Sequence, residues 1–186
     1  MTRIIAGRLG GRRISTPSGR ETRPTSDRVR EALFSTLAAM TELAGARVAD
    51  LYAGSGAIGL EALSRGAAHA LLVEADPRAA RVVRDNLTTL GVDGQARLLT
   101  DRVERVLANA PDLAYDVVIA DPPYALPDAR LGEMLTALVA KGWLAEEAVV
   151  VVERSTRAAS LVWVPGIAGA DQRRYGETTV WYGRRL

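Results

Sequence analysis

Residues 48–59 read VADLYAGSGAIG, and this stretch decides the fold. Its first five residues form a short, mostly apolar run, which predicts a buried strand. Gly54, Gly56 and Gly59 follow in a G-x-G-x-x-G pattern, which is typical of a tight turn from a strand into a helix. Glycines in such a turn let the backbone approach a ligand closely. The stretch therefore predicts the first strand and helix of an α/β domain, joined by a binding loop.

Beyond this stretch, strand and helix patterns alternate, which predicts a parallel sheet with right-handed crossovers. The predicted strands are 48–52, 70–74, 96–100, 115–120 and 148–154. The predicted helices are 57–65, 77–90, 102–109 and 128–141. The chain ends differently, with two further strands at 161–164 and 178–184 and no helix pattern between them. We therefore predict a seven-stranded, mostly parallel sheet that closes with an antiparallel hairpin.

The segment before the sheet predicts a separate extension. Residues 2–8 and 11–16 alternate weakly around Leu9-Gly10-Gly11, which indicates a β-hairpin with a glycine turn. A helix then follows, with Ser26 or Asp27 as its cap. We accordingly divide the chain into a basic hairpin and linker, residues 1–30, and a main domain, residues 31–186.

Composition limits the class of protein. The chain has 186 residues, of which 48% are hydrophobic, enough for one domain with a core. No apolar stretch reaches the roughly 18 residues of a membrane span, and residues 1–8 lack the apolar region of a signal peptide, so we expect a cytoplasmic protein. The absence of cysteine excludes disulfides, thiolate zinc sites and cysteine nucleophiles. No cluster of His, Asp and Glu suggests a metal site, so none is predicted.

The net charge of +2 conceals a segregation along the chain. Residues 1–30 carry eight arginines against two acids, a balance of +6, whereas residues 31–170 carry twelve basic and eighteen acidic residues, −6. Residues 171–186 add +2. A basic arm on an acidic body predicts a polyanion as partner, although a solvated terminus without a partner has the same composition. The arginines expected to contact nucleic acid are Arg3, Arg8, Arg12, Arg13, Arg20, Arg23, Arg28 and Arg30.

A cofactor site is predicted where the first strands end. Glu74 closes the second strand twenty residues beyond Gly54, the spacing of an acid that binds a ribose diol. A dinucleotide and S-adenosylmethionine both fit this much. We favour the second, because Asp50 beneath the loop suits an amino group and a sulfonium better than a pyrophosphate. Asp101 is placed to accept from an adenine amino group, although a helix cap is an equally good interpretation of it. The predicted cofactor contacts are Asp50, Ala53, Gly54, Ser55, Gly56, Glu74, Ala75, Asp101, Arg102 and Val103.

The four residues Asp121-Pro122-Pro123-Tyr124 follow an apolar run at 117–120, so they lie where a buried strand ends. Asp121 offers a carboxylate that can accept hydrogen bonds from an amino group. The two prolines stiffen the loop in an extended geometry. Tyr124 offers a flat face for a base. We predict a catalytic socket for a planar ring with an exocyclic NH2, formed by Asp121, Pro122, Pro123 and Tyr124, although an ordinary turn with a surface tyrosine is the simpler alternative.

These motifs resemble a known family. Asp50-x-x-x-Gly54-x-Gly56 together with residues 121–124 resembles the class I amino-methyltransferases. The flanking segments resemble the RsmD family of bacterial 16S rRNA guanine-N2 methyltransferases; they read RIIAG at 3–7, GGR at 10–12, RPTSDRVRE at 23–31 and RYGET at 174–178.

The resemblance covers nearly the whole chain. It implies a Rossmann-like methyltransferase fold over residues 31–186, S-adenosylmethionine as cofactor, and one guanine of small-subunit rRNA as target. It also implies that Glu74 binds the nucleoside and that Asp121 through Tyr124 form the catalytic loop.

Three alternatives remain at this stage. An NAD-dependent oxidoreductase explains the glycines and Glu74 but leaves residues 121–124 without a task. A methyltransferase acting on DNA adenine N6 or on protein glutamine uses the same kind of loop, and the basic arm argues only against the protein substrate. An RNA-binding protein without activity does not need acids at the strand ends. We expect a monomer, and Arg173-Arg174-Tyr175 either contact RNA or form a hairpin tip.

Overall fold

The computed structural model describes residues 1–18 and 26–186. Within them, the strands are β1 (Thr2–Arg3), β2 (Arg13–Ile14), β3 (Arg47–Leu51), β4 (His69–Val73), β5 (Ala96–Leu99), β6 (Tyr115–Ala120), β7 (Leu144–Ser155), β8 (Ile167–Tyr175) and β9 (Thr178–Arg185). The α-helices are α1 (Asp27–Met40), α2 (Ala57–Ser64), α3 (Pro77–Leu90), α4 (Val103–Leu107) and α5 (Asp128–Ala140). None of these helices combines the length and the apolar character needed to cross a bilayer.

Seven strands form one mixed sheet in the order β5-β4-β3-β6-β7-β9-β8. The first five in this order run parallel, whereas β9 pairs antiparallel with both β7 and β8. The chain order changes direction beside β3, since β4 and β6 lie on either side of it. Ligands of open α/β sheets bind at such a switch point, outside the carboxyl ends of the strands. The predicted α/β fold class, with a closing antiparallel pair, is confirmed.

Alternate residues of the central strands pack into two separate cores. Val48 and Val117 belong to the core beneath α1, α2 and α3, whereas Ala49 and Val118 belong to the core beneath α4 and α5. This two-sided burial is why the central strands are continuous apolar runs rather than alternating ones. It also leaves the strand ends as the place where polar side chains of the sheet can reach a ligand.

The predicted strand at 161–164 is wrong. Those residues form no strand, although Leu161 is buried, and the edge strand is β8, Ile167–Tyr175. The error has a physical cause. An edge strand with solvent on its outer side carries polar residues such as Asp171 and Arg173. At 161–164, Leu161, Trp163 and Val164 pack against the core without joining the sheet, and Val162 is exposed. At its end, Arg173–Tyr175 lead into the β8–β9 turn at Gly176, which agrees with the hairpin-tip interpretation.

The N-terminal extension is built into the main core. Its paired strands are short, with Thr2 opposite Ile14 and Arg3 opposite Arg13, and the rest of the predicted hairpin is turn. Apolar residues of the extension are buried in the same core as the sheet; they are Ile4, Leu9 and Ile14. The predicted boundary between residues 30 and 31 falls inside α1, which begins at Asp27 with Ser26 as its cap. The extension and the sheet thus share one core, and the predicted division into two parts remains untested.

Polar contacts fasten the extension to α2. The buried Glu61 accepts hydrogen bonds from the backbone N–H groups of Ile5, at 2.8 Å, and Ala6, at 3.1 Å. Ser64 accepts from the Leu9 N–H at 2.9 Å. Gly7 has a φ of +81°, and a Cβ there would come within 2.0 Å of the Ser64 carbonyl oxygen. The extension is therefore held against the domain at a defined position.

Candidate cofactor and base-binding site

One cavity of about 1280 Å³ opens at the carboxyl ends of the parallel strands. Its wall includes the glycine loop after β3, the end of β4, the start of α4 and the loop after β6. The glycine loop and residues 121–124 therefore face a shared space. The cavity also touches the extension at Arg3 and Arg13. A methyl donor at the glycine loop and an acceptor base at residues 121–124 would therefore occupy the same cavity.

The glycine loop presents bare backbone to this cavity. Gly54 has a φ of +60°, and a Cβ added there would meet nothing within 4 Å. By contrast, a Cβ on Gly59 would lie 2.9 Å from a methyl of Leu72, so this glycine allows α2 to pack closely on β4. The first glycine therefore leaves open space at the loop and the last allows close helix packing, the division that this motif has in dinucleotide-binding folds.

Asp50 lies beneath the loop rather than in the cavity wall. Its side chain is buried, and its Oδ2 accepts a hydrogen bond from the Gly59 N–H at 3.0 Å. It thereby caps α2 from the neighbouring strand, since the N-cap residue Gly56 has no side chain to do so. Burial raises the pKa of Asp50 to about 7, with further contributions from the charges of Asp121 and Glu74. The predicted direct contact with a cofactor remains untested.

This position predicts a pH dependence of stability. Because the folded-state pKa of Asp50 is raised above its unfolded value, the native state keeps a proton that the unfolded state loses. Stability from this group is fully present below about pH 4 and declines as the pH rises towards 7. Between pH 5 and pH 6 we expect a loss of about 1 kcal/mol. Asp50→Asn keeps an acceptor for Gly59 but cannot titrate, so its urea denaturation should lack this decline; an identical pH profile in both proteins would contradict the assignment.

Glu74 joins the ends of two loops. Its Oε1 accepts from the Gly54 N–H at 3.0 Å, and its Oε2 accepts from the Asp76 N–H at 2.9 Å. The carboxylate has about four acceptor positions, so these two bonds leave capacity for ribose hydroxyls. Glu74 lines the cavity with only 8% of its surface exposed. The acid therefore combines the predicted position for a ribose with a structural task that the spacing did not reveal.

The predicted adenine site at the start of α4 is only partly assembled. Arg102 and Val103 line the cavity. Asp101 does not line the cavity. Its Oδ1 accepts a hydrogen bond from the Arg102 N–H at 2.7 Å and lies 3.9 Å from the Arg105 guanidinium. Its side chain is 44% exposed. Asp101 therefore stabilises the backbone at the entry to α4, close to the cap interpretation, and direct adenine contact remains an untested prediction.

The predicted cofactor residues thus fall into two groups. Those at the cavity wall are Ala53, Gly54, Ser55, Glu74, Ala75, Arg102 and Val103. Those behind or beside the wall are Asp50, Gly56 and Asp101. Together the acids of this rim and the open backbone at Gly54 fit a ligand that carries a ribose and a positive charge.

The loop after β6 has the features predicted for a base socket. Asp121 follows the last residue of β6 directly, and all four residues from Asp121 to Tyr124 line the cavity. The carbonyl of Pro123 accepts from the Leu126 N–H at 2.9 Å, which closes the loop in a turn. Tyr124 is 61% exposed, so much of its side chain is accessible at the cavity. Its ring stands where an incoming base could stack.

Sequence reasoning missed Glu153 and left Tyr52 open. Glu153 lies in β7, is 7% exposed and lines the cavity. A signal for it existed, since it follows a buried valine run just as Asp121 follows residues 117–120, but the predicted strand passed through it. Tyr52 both lines the cavity and packs in the core, with its hydroxyl 3.8 Å from the Met134 sulfur. Its φ of +71° marks a strained turn into the glycine loop.

Asn86 connects the extension to the glycine loop. This buried side chain accepts from the Ser15 N–H at 2.9 Å and donates to the carbonyls of Ser15 and Ser55, both at 2.9 Å. Ser15 and Ser55 are 40 residues apart in the chain, and Asn86 of α3 bridges them. One hydrogen-bond network therefore joins the extension and the glycine loop.

The predicted RNA-binding arginines are not equivalent. Arg3 and Arg13 lie opposite each other across the β1–β2 pair and both line the cavity. Like charges placed directly opposite are unfavourable by themselves, and the Asp27 carboxylate, 3.8 Å from the Arg3 guanidinium, partly offsets this pair. Arg8 donates to Gln95, Arg12 donates to the Thr89 carbonyl, and the exposed Arg28 lies on α1. Arg20 and Arg23 lie outside the described residues.

Arg30 contradicts its predicted surface role. It is only 1% exposed and contacts the Arg3 carbonyl, Asp27 and Glu61. Burial lowers its pKa, and the charges of Glu61 and Asp27 oppose that effect. Arg30 borders the cavity, but its guanidinium is held by these internal partners, so it fastens α1 to the extension rather than standing on the surface.

Within residues 1–18 and 26–186, no group of three or more His, Asp or Glu side chains could hold a metal ion.

Comparison with known proteins decides the family. The model of the family described as Conserved hypothetical protein 95 matches residues 2–184. Ribosomal RNA small subunit methyltransferase D of Escherichia coli strain K12 is 42% identical over 151 residues, covering 81% of this chain and 73% of the relative. The chain belongs to this family, the RsmD family.

Solved structures agree with this membership. The Escherichia coli protein yhhF superposes with a TM-score of 0.87 at 34% identity, covering 98% of this chain and 97% of that one. A more distant protein from Streptococcus mutans, described as a SAM-dependent methyltransferase, has a TM-score of 0.69 at 15% identity, covering 84% and 48%. The second likeness shows the fold alone. For the RsmD-family chain, the predicted Rossmann-like methyltransferase fold is thus confirmed, as is the resemblance that the motifs indicated.

Proposed function

We propose that this chain transfers the methyl group of S-adenosylmethionine to N2 of one guanine in small-subunit rRNA. The observation that carries the proposal is the shared cavity, in which an open glycine backbone and Glu74 face the Asp121–Tyr124 loop. Membership of a family with rRNA methyltransferase relatives supports the choice of substrate. A cytoplasmic, monomeric enzyme without a metal is part of the same proposal.

The cofactor is held, in this proposal, by residues that already line the cavity. The backbone at Ala53–Ser55 approaches it closely, Glu74 accepts from the ribose hydroxyls, and Arg102 and Val103 flank the adenine. When bound, S-adenosylmethionine supplies a methyl group whose bond to sulfur breaks as the bond to nitrogen forms, so that the sulfur leaves as a neutral thioether. Asp50 acts beneath the loop by holding Gly59, and the negative rim favours a positively charged ligand.

The loop after β6 positions the acceptor nitrogen. Guanine N2 is a poor nucleophile because its lone pair is delocalised into the ring. Asp121 and the Pro122 carbonyl accept its two N–H groups, which favours a pyramidal nitrogen with its lone pair directed at the methyl group. Tyr124 stacks on the base and sets its angle. After transfer, the nitrogen is acidic and releases a proton to water, so the rate enhancement comes from positioning and electrostatics rather than from a base.

The target base must leave its stack to enter such a socket. This requirement agrees with rRNA loops as substrates, since single-stranded bases are readily splayed out. Arg3 and Arg13 at the cavity mouth are placed to hold phosphates beside the flipped nucleotide. Arg8, Arg12 and Arg28 extend the basic surface, and Arg20 and Arg23 remain predicted contacts.

The direct test is to map methylated nucleotides in small-subunit rRNA from a strain lacking this protein. We expect one N2-methylguanine to be absent, to return with the wild-type chain, and to stay absent with Asp121→Ala. Calorimetry should show binding of S-adenosylmethionine but not of NAD. An unchanged methylation map in the deletion strain would refute the substrate, and preferential binding of NAD would refute the enzyme class.

Charge removal at the cavity mouth should weaken RNA binding through phosphate contacts. For the double variant Arg3→Gln and Arg13→Gln, we expect a less steep dependence of affinity on salt, with the slope of log K against log salt reduced by about 1 to 2. Filter binding between about 50 and 200 mM salt measures it. Arg97→Gln is the matched control, because this exposed arginine pairs with Asp112 and does not line the cavity. Equal slopes in the double variant and the wild type would show that Arg3 and Arg13 do not contact RNA phosphates.

A further inference from the structure

Glu153 lies beside the catalytic loop on the neighbouring strand. Strands β6 and β7 are parallel, and Ala120 is the register partner of Val152. Asp121 and Glu153 are the next residues along, on strands that neighbour each other at a spacing of roughly 5 Å. Both residues line the same cavity. The sheet therefore places two carboxylates next to each other at the point where the acceptor base would enter.

The surroundings of Glu153 connect it to the base socket. It is 7% exposed, so its carboxylate is largely removed from bulk water. Besides the main cavity, it lines a smaller one of about 270 Å³ together with Pro122, Pro123 and Tyr124. Glu153 therefore lies at the root of the loop, in the wall that it shares with Tyr124.

The hydrogen-bonding edge of guanine suits two neighbouring acceptors. This edge presents two donor groups side by side, the exocyclic amino group at N2 and the N1–H. In the proposed mechanism Asp121 already accepts from N2, so the adjacent donor, N1–H, needs an acceptor next to Asp121. An ionised carboxylate is purely an acceptor. Adenine instead presents a lone pair at N1, which a carboxylate repels.

We infer that Glu153 accepts the N1–H of the target guanine, so that Asp121 and Glu153 together select a base with two adjacent donors. The inference deepens the proposed function and rests on it. The cavity thus favours guanine and disfavours adenine, although both bases carry an exocyclic amino group.

The test uses a base that keeps the 2-amino group, carries a lone pair at N1 and lacks the 6-oxygen of guanine. In 2-aminopurine the 2-amino group is present, but N1 carries a lone pair in place of the hydrogen. We would place guanine or 2-aminopurine at the methylated position mapped above, in otherwise identical rRNA, and measure kcat/KM for methyl transfer. The preference is the ratio of the two values, and comparing ratios between enzyme variants cancels the different intrinsic reactivity of the two bases.

For Glu153→Gln we expect the preference for guanine to fall at least about tenfold relative to the wild type, the scale of a lost base-specific hydrogen-bond pair. The physical reason is that a glutamine amide can donate to the N1 lone pair of 2-aminopurine. Glu153→Ala removes both the attraction and the repulsion, so its preference should also fall. This second variant keeps the test available if the first folds poorly.

Glu146→Gln is the matched control, an exposed acid on the same strand away from the cavity, and it should keep the wild-type preference. Calorimetric affinity for S-adenosylmethionine and the melting temperature confirm that each variant is folded. A preference unchanged in both Glu153 variants would overturn the inference, even if their rates fall. A merely structural role would lower kcat/KM for both substrates by the same factor. Failure of the wild type to methylate the guanine substrate would instead refute the proposed function.

Discussion

Asp121→Ala should abolish most methyl transfer while leaving the cofactor site intact. We expect kcat/KM on small-subunit rRNA to fall about 10²- to 10³-fold, comparable to the loss of one preorganised hydrogen-bonding group in other enzymes. The reason is that Asp121 accepts from the reacting amino group and directs its lone pair. Affinity for S-adenosylmethionine should change little, because the open backbone at Gly54 and the Glu74 carboxylate lie on other loops. Transfer of a radiolabelled methyl group and calorimetry measure the two quantities separately.

Two further variants make this result interpretable. Asp121→Asn keeps one acceptor oxygen at the same place and should retain more activity than the alanine variant. Asp85→Ala, which removes an exposed acid on α3, should behave as the wild type. Full turnover by Asp121→Ala on rRNA, with normal melting temperature, would end the proposed mechanism.

Glu61→Ala should be the most destabilising single change outside the cavity. Glu61 is fully buried, lies 3.7 Å from the buried Arg30 and 2.9 Å from Arg65, and accepts from the backbone N–H groups of Ile5 and Ala6. Its removal leaves a buried guanidinium without its fully buried acid partner and two backbone donors without their acceptor. Breaking such a buried pair costs about 3–5 kcal/mol. Urea denaturation followed by circular dichroism measures the loss.

The same variant should loosen the extension before the sheet. Since Glu61 holds Ile5 and Ala6, trypsin should cleave Glu61→Ala faster at Arg8, Arg12 and Arg13 than it cleaves the wild type. Glu31→Ala, which removes an exposed acid from α1, is the matched control and should change stability by less than about 0.5 kcal/mol. A loss below about 1 kcal/mol in Glu61→Ala would show that water or Asp27 satisfies these groups without it.

Local patterns allowed much of this molecule to be predicted. The strand within residues 48–59 follows from an apolar run, and the glycine turn follows from the positive φ values that glycine adopts. Both are local features that neighbours in the chain determine. The acids at Glu74 and Asp121 follow from their position after such runs. The same logic applied to β7 predicts Glu153, which was missed because its strand continues past the acid to Ser155. When a strand continues past the binding edge of the sheet, its end no longer marks the residue that lines the cavity, so the sequence pattern does not single that residue out.

Other features depend on partners far away in the chain. Arg30 has the composition of a surface residue, and only the packing of Glu61 and Asp27 around it makes it internal. Asp50 looks like a ligand acid, but its carboxylate turns to the Gly59 N–H, which is brought to it when α2 folds back onto β3 and β4. The polar edge strand β8 is a strand because β9 pairs with it, not because its own residues favour one.

By itself, then, the order of residues determined the parallel sheet, the glycine loop and the acidic, proline-stiffened socket, since periodicity, turn geometry and strand ends are short-range properties. Only the tertiary structure decided which acids face the cavity, which arginines remain at its mouth, and that Glu153 stands beside Asp121. Those outcomes depend on strand register and on buried charges finding partners, and both are settled by contacts between residues distant in the chain.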